Sequence, residues 1–237
     1  MPTPRPAWQR WLLAAAFLAG GAGGLVALLQ IVGLWLETHW QLGPAPWDQL
    51  LLDWCRDHYH LRLHRWAADF SALGSPPVLT LLVASVVVAL LLGGRRHLAA
   101  WVLITSLGAS LLVTGVKDMV ERPRPPAPQR LDPFVGDSFS FPSGHSLGAM
   151  AIYAYLGLLL ARLAPTRAAA RFVLASSLAL PIVIGLTRIY LRVHYPTDVL
   201  AGWLAGLAWV GLAALAARFV EPAGRSDSAT SLLACER

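Results

Sequence analysis

Residues 142–162 read Pro142-Ser143-Gly144-His145-Ser146-Leu147-Gly148-Ala149-Met150-Ala151-Ile152-Tyr153-Ala154-Tyr155-Leu156-Gly157-Leu158-Leu159-Leu160-Ala161-Arg162. The run from 144 to 162 approaches the roughly 20 apolar residues that cross a ~30 Å hydrocarbon core. It opens, however, on a serine, a glycine and a histidine. Ser143 or its neighbours are expected to form a helix N-terminus, where unpaired amides and the positive end of the helix dipole attract anions. Gly144 lets the backbone approach an oxyanion closely, and His145 stands beside the bound group. A polar motif at the mouth of an apolar span is expensive unless it has work to do.

The rest of the chain repeats this pattern. Apolar runs fall near 10–36, 75–93, 97–116, 144–162, 170–189 and 198–219, which predicts an all-α membrane protein of six transmembrane helices. Composition agrees. A chain that is 56% hydrophobic and 14% charged, with mean hydropathy +0.56, has too few polar residues to coat a soluble globule of this size. Arg5 and Arg10 ahead of the first run imitate a signal peptide. A cleavable core is only about 7–15 residues long, and this run continues to Leu36, so a spanning helix is expected.

Arginine in short loops marks the cytoplasmic side. With the N-terminus inside, Arg5, Arg10, Arg95, Arg96, Arg162, Arg167, Arg171, Arg218 and Arg225 face the cytoplasm. Arg56, Arg62, Arg65, Lys117, Arg122, Arg124, Arg130, Arg188 and Arg192 face out. The near tie breaks if Lys117, Arg124 and Arg188 are held by chemistry rather than topology. Both termini are then expected inside and the site outside. A net charge of +6 with pI ≈ 10.0 fits anionic membrane lipids; nucleic acid is not expected as a partner, because no basic run of several residues exists.

Residues 1–220 are expected to form a single membrane domain and 221–237 a short polar tail. In the first outer loop, 37–74, Trp47, Leu50, Leu51, Trp54, Leu61, Trp66 and Phe70 recur at helical spacing among charges. This predicts an amphipathic helix in the membrane interface, flanking a lipid-access route. The same loop holds His58, His60 and His64; polar histidines on that helix are preferred to a zinc site, which would need a third ligand and supporting shell. Cys55 and Cys235 lie on opposite sides of the expected membrane, without metal-ligand spacing. Gly20-x3-Gly24 and Gly202-x3-Gly206 both fit close helix packing.

Two further segments carry chemistry. Lys117 ends the third span, and Arg122-Pro123-Arg124-Pro125 starts a stiff, non-helical loop. Its two guanidiniums and one ammonium suit a phosphate dianion. Thr187-Arg188-Ile189-Tyr190-Leu191-Arg192-Val193-His194-Tyr195-Pro196-Thr197-Asp198 closes the fifth span and opens the sixth, with Pro196 suited to a first helical turn. His194 is thereby placed at the mouth and Asp198 four residues on, where a carboxylate can fix the imidazole tautomer and free the other nitrogen to attack. Asp198 should favour the charged imidazole while the cations and helix end oppose it, around an ordinary value of about 6.5. The two histidines need opposite protonation in the first step, which predicts a bell-shaped pH profile.

Together, Lys117 with Arg124-Pro125, residues 142–145, and Arg188 with His194 and Asp198 resemble the three-part signature of the type-two phosphatidic acid phosphatase superfamily. These are integral membrane lipid phosphatases related to the soluble vanadium haloperoxidases. All three spacings match, and Thr187 stands where the family often has serine. The resemblance implies that His194 is the nucleophile forming a phosphohistidine, that Asp198 orients it, and that His145 protonates the leaving oxygen and later activates water. It implies that Lys117, Arg124, Ser143, Gly144 and Arg188 hold phosphoryl oxygens, and that no metal or other cofactor is needed.

The expected activity is therefore hydrolysis of a lipid phosphate or diphosphate at the outer face of a bacterial inner membrane. The candidates are undecaprenyl diphosphate, phosphatidylglycerol phosphate and phosphatidate. A lipid phosphotransferase would use the same site with an acceptor hydroxyl in place of water. A lipid-phosphate binder or transporter would explain the cations but not the histidines. The physiological lipid and the oligomeric state are left open by the sequence.

Overall fold

The computed structural model describes residues 6–41, 43–126, 130–132 and 138–220. Eight helices follow one another: α1 (Ala7–Trp40), α2 (Pro46–Asp57), α3 (Leu61–Ala72), α4 (Pro76–Leu92), α5 (Arg96–Val120), α6 (Gly144–Ala161), α7 (Arg167–Tyr190) and α8 (Pro196–Val220). No strand occurs among the described residues. Five helices are long and apolar enough to cross a membrane: α1, α5, α6, α7 and α8. A sixth span results if α3 and α4, bent by 42° at a short break, are taken as one. The protein is thus an all-α integral membrane bundle, as the hydropathy pattern predicts. The expected tail 221–237, with Cys235 and Arg225, and Arg5 lie outside the described residues.

Helix ends follow local chemistry. Pro46, Pro76 and Pro196 occupy first turns, where the missing N–H costs nothing. Ser143 and Thr166 cap α6 and α7, accepting from the Ser146 and Ala169 amides respectively. At the other end of α5, Glu121 turns into the left-handed region at φ 51. Its amide closes on the Lys117 carbonyl, and Pro123 prevents any continuation.

Helix α6 forms the axis of the bundle, packing on α5, α7 and α8. It approaches α8 along Gly202 and Gly206. A Cβ on Gly202 would stand 2.9 Å from the Ser143 carbonyl oxygen, and one on Gly206 would stand 2.8 Å from Met150 Cβ. Only hydrogen fits there, as the small-residue spacing implies. The matching expectation for Gly20 and Gly24 is corrected: both face open space, and it is Gly21 that lies against Leu212. One residue is a 100° turn of a helix, so the spacing is right and the face is wrong.

The connection between α1 and α4 holds two helices, α2 and α3, in place of the single one expected, parted at 58–60. Their inner faces, through Leu52, Cys55 and Ala67, pack against Leu191, Val193, Tyr195 and Val199. Trp47, Leu50, Trp54 and Trp66 remain exposed. The described residues of the connections 41–45, 121–143 and 191–195 meet at one end of the bundle. The Arg122 guanidinium reaches the Gly43 carbonyl, Ser140 N–H donates to the Arg122 carbonyl, and Leu131 N–H donates to the Leu191 carbonyl. Arg95, Arg96, Arg162 and Arg167 lie at the opposite end.

Candidate active site

His194 sits in a tight turn between α7 and α8. Leu191 and Val193 amides fold back onto the Thr187 and Arg188 carbonyls, and Arg192 adopts φ 57. The turn buries the imidazole almost completely, at 1% exposure. On one side, Nδ1 lies 3.3 Å from Ser140 Oγ and 3.5 Å from Asp198 Oδ2. On the other, Nε2 lies 2.9 Å from Arg124 Nη1. A guanidinium can only donate, so Nε2 must offer its lone pair and the ring proton belongs on Nδ1, facing the serine and the carboxylate. The nitrogen directed at the cations is the unprotonated one.

Asp198 has no water contact and is held on both oxygens. Oδ2 accepts from Ser140 Oγ at 2.5 Å and from the Tyr195 amide at 2.9 Å, and Oδ1 accepts from Arg122 Nη1 at 2.5 Å. Ser140 therefore touches both the imidazole and the carboxylate. Its hydroxyl was invisible to motif reading because it lies outside the three signature blocks, 54 residues from His194.

The cations approach from three elements. Arg124 is fixed by the Ser138 carbonyl and hydroxyl and by the Val193 carbonyl, at 2.7 to 2.9 Å. Lys117 donates to the Phe139 carbonyl. Arg188 Nη1 donates to Ser71 Oγ at 2.6 Å and pairs with Asp132 at 3.4 Å, while its buried Nε has no partner among the described residues. Arg122 departs from expectation. Read in the sequence as a second phosphate-facing guanidinium of the loop, it is fully buried behind Asp198, salt-bridged to Asp48 on α2.

Lys117, Arg124, Gly144, His145, Arg188 and His194 all line one cavity of about 1190 Å³. Gly74, at the break between α3 and α4, brings the chain against His145: a Cβ there would fall 2.5 Å from Ile184 Cγ2 and 3.5 Å from His145 Cδ2. Away from the histidines the cavity continues between α4 and α5, past Leu79, Val83, Leu103 and Leu107. Lys117 and Leu103 are 14 residues apart, roughly 20 Å along a helix, so this groove runs deep into the apolar zone. Ser143 does not line the cavity. Its hydroxyl accepts from the Ser146 amide and hydroxyl, and its amide donates to the Asp198 carbonyl, tying the α6 start to the α8 start.

Burial, then Arg124, Arg188 and Lys117, push His194 well below the ordinary histidine value. The opposed influences expected from sequence are thus resolved towards the neutral ring. Asp198 shares its charge with Arg122, Ser140 and an amide before the imidazole feels it. Arg124 is held down to about 10, first by burial and then by Arg188, and stays charged at neutral pH.

The three loop histidines point to different partners. His58 Nδ1 meets the Trp54 carbonyl, the His60 backbone meets the Tyr190 hydroxyl, and His64 lines the cavity.

A helical membrane bundle with a buried histidine–carboxylate pair and converging cations at one mouth defines a recognisable class. Residues 99–221, just over half of the chain, match the family model of the PAP2 superfamily, and the chain belongs to that family. It is 37% identical over 101 residues to phosphatidylglycerophosphatase B of Bacillus subtilis, covering 41% of this chain and 47% of that one. It is 33% identical over 122 residues to a lipid A 1-phosphatase of Rhizobium johnstonii, covering 48% and 46%. The alignments thus span about half the length of these curated relatives. Among solved structures, a transmembrane PAP2-type phosphatidylglycerolphosphate phosphatase from Bacillus subtilis superposes with a TM-score of 0.73 over 85% of this chain and 98% of that chain, at 22% identity. Aquifex aeolicus LpxE gives 0.51 over 72% and 94%, also at 22% identity. Both describe the same fold.

Proposed function

We propose that this protein is a metal-independent phosphatase of lipid phosphates or diphosphates, working through a phosphohistidine on His194. The observation that carries the reading is the convergence of an unprotonated Nε2, His145, three fixed cations and the start of α6 on one cavity that continues as an apolar groove. The groove suits a lipid tail, and the names of the relatives, phosphatidylglycerophosphatase and lipid A 1-phosphatase, support a phosphorylated lipid as substrate.

In the first step, His194 Nε2 attacks phosphorus in line as the bond to the ester or anhydride oxygen breaks. His145 gives that oxygen its proton. Lys117, Arg124, Arg188 and the Gly144 amide stabilise the three equatorial oxygens, which is most of what phosphoryl transfer requires. Asp198 and Ser140 hold the Nδ1 proton, so the ring can carry positive charge while the N–P bond forms. In the second step, His145 takes a proton from water, the water oxygen bonds to phosphorus, the N–P bond breaks and inorganic phosphate leaves. Ser143 serves by fixing where α6 begins. Residues 1–220 act as one domain, α2 and α3 lie at headgroup depth with their tryptophans outward, and the site opens on the outer face of a bacterial inner membrane.

The test is phosphate release in detergent from phosphatidate, phosphatidylglycerol phosphate and undecaprenyl diphosphate, with a chelator present. Activity should survive the chelator, and His194→Ala should lose at least about 10³-fold in kcat. Wild type quenched in alkaline detergent should carry label from a ³²P-lipid, and acid should release that label, as it does from a phosphoramidate. A phosphorylated acceptor in place of free phosphate would make the protein a transferase. A His194→Ala variant with undiminished turnover sinks the mechanism.

A further inference from the structure

Behind Asp198, on the side away from the cavity, lies a closed set of charges that the phosphatase chemistry above does not use. The Arg122 guanidinium is wholly buried. Its Nη1 donates to Asp198 Oδ1 at 2.5 Å and to Thr197 Oγ1 at 2.7 Å, while Nη2 donates to the Gly43 carbonyl at 2.7 Å and to Asp48 Oδ2 at 3.1 Å. The Tyr195 ring lies 4.3 Å from the guanidinium carbon. Asp48, also without exposure, accepts from the Thr197 amide and hydroxyl, both at 2.8 Å, and from the Ala45 amide at 3.1 Å.

Two carboxylates around one guanidinium, all shielded from water, form a costly way to seat a short helix. Leu52 and Cys55 already give α2 an apolar contact with the turn at 191–195. What apolar residues would not provide is a fixed direction for Asp198 Oδ1 and a fixed charge one layer behind the imidazole. Asp198 has only two oxygens. If Oδ1 is anchored to Arg122, then Oδ2 is left to face Ser140 and His194 Nδ1.

We propose that Asp48 and Arg122 are positioning residues for the reaction, a buried relay from α2 that aims the Asp198 carboxylate at His194 and sets the charge it presents. The proposal rests on the reading of His194 as nucleophile. Signs follow from the arrangement. Asp48→Asn removes a negative charge from the layer behind Asp198, so the imidazolium of His194 loses support and its protonation moves to lower pH. Arg122→Met removes a positive charge, and protonation moves to higher pH. The groups facing His194 are otherwise unchanged: Lys117 from α5, Arg124 and Ser140 from the loop after it, His145 from α6, Arg188 from α7 and Asp198 from α8.

The test uses the full chain in detergent with short-chain phosphatidate. Asp48→Asn, nearly isosteric, should lower kcat about tenfold with KM within about twofold, and shift the acid limb of kcat/KM down in pH. Arg122→Met should lower kcat about 100-fold and shift that limb up, with Arg122→Lys recovering part of the rate. Opposite shifts of one limb are not produced by loosened packing. Limbs that stay in place, or move together, overturn the relay. Should Arg122→Met fail to fold, Asp48→Asn decides alone: a lowered kcat with a lowered limb supports the relay, and a wild-type profile removes it. Inactive wild type, or an active His194→Ala, would instead overturn the phosphatase reading, so the two failures are distinguishable.

Discussion

The two faces of His194 each hold buried arginine and serve opposite ends. On the cavity side, Lys117, Arg124 and Arg188 each keep something to give; Arg188 even holds a buried Nε with no partner among the described residues. Behind Asp198, Arg122 has both nitrogen ends committed to carboxylates, a hydroxyl and a carbonyl. A cation whose donors are saturated by protein can act only by placing the groups it holds, whereas one with donors in reserve at a cavity can also take an incoming anion. Sequence places Arg122 and Arg124 two residues apart, and the structure sends them to different sides of His194.

The sharpest way to break this contrast is Arg188→Met. It removes an in-place cation from the cavity and leaves the layer behind Asp198 untouched. The expected cost is about 10²- to 10³-fold in kcat/KM, the magnitude seen when one stabilising donor is removed from a transition state. Steady-state kinetics measure it. A loss below about threefold would mean that Arg188 serves only Ser71 and Asp132.

Next in size is Gly202→Val, which attacks the seam that both faces share. Its side chain would press on the Ser143 carbonyl and Ser146 Cβ, each 2.9 Å from the first added carbon. Helix α6 must move, and with it Gly144 and His145. Overpacking of this kind costs about 1–3 kcal/mol. The thermal midpoint in detergent should fall, and activity should fall further than stability explains. Ser140→Ala is milder and belongs to the rear face. It removes the hydroxyl shared between imidazole and carboxylate, so kcat should fall about tenfold, or ~1.4 kcal/mol, with little change in KM.

These particulars show what could be read without coordinates. The six apolar runs were legible because bilayer thickness imposes length and hydropathy on each span. The predicted 97–116 and 198–219 fall within α5 and α8, missing only the capped ends. Lys117, Arg124, His145, Arg188, His194 and Asp198 could be picked out because their spacing is local to three motifs; the first five line one cavity and Asp198 lies behind His194. Ser140, Asp48 and the true place of Arg122 were not. A serine near a proline carries no local sign of its partner, and Asp48 meets Arg122 across 74 residues. The break that separates α2 from α3 falls at His58, Tyr59 and His60, with neither glycine nor proline to announce it.

The finest test concerns the sign of the field at His194. Burial is the largest reason the neutral ring is favoured, and Arg124 is next, its Nη1 only 2.9 Å from Nε2. Arg124→Gln keeps a donor near that nitrogen but deletes the charge, so the imidazolium is less opposed and His194 should titrate at higher pH. In the proposed mechanism, activity requires the unprotonated nitrogen. The acid limb of kcat/KM, which reports the free enzyme, should therefore begin below about pH 6.5 in the wild type and move upward in Arg124→Gln. Burial, Arg188 and Lys117 persist, so the limb should still stop short of the ordinary histidine value. A limb that does not move would show that Arg124 binds substrate without tuning the nucleophile, and the division between the two faces would then be one of hydrogen bonds alone.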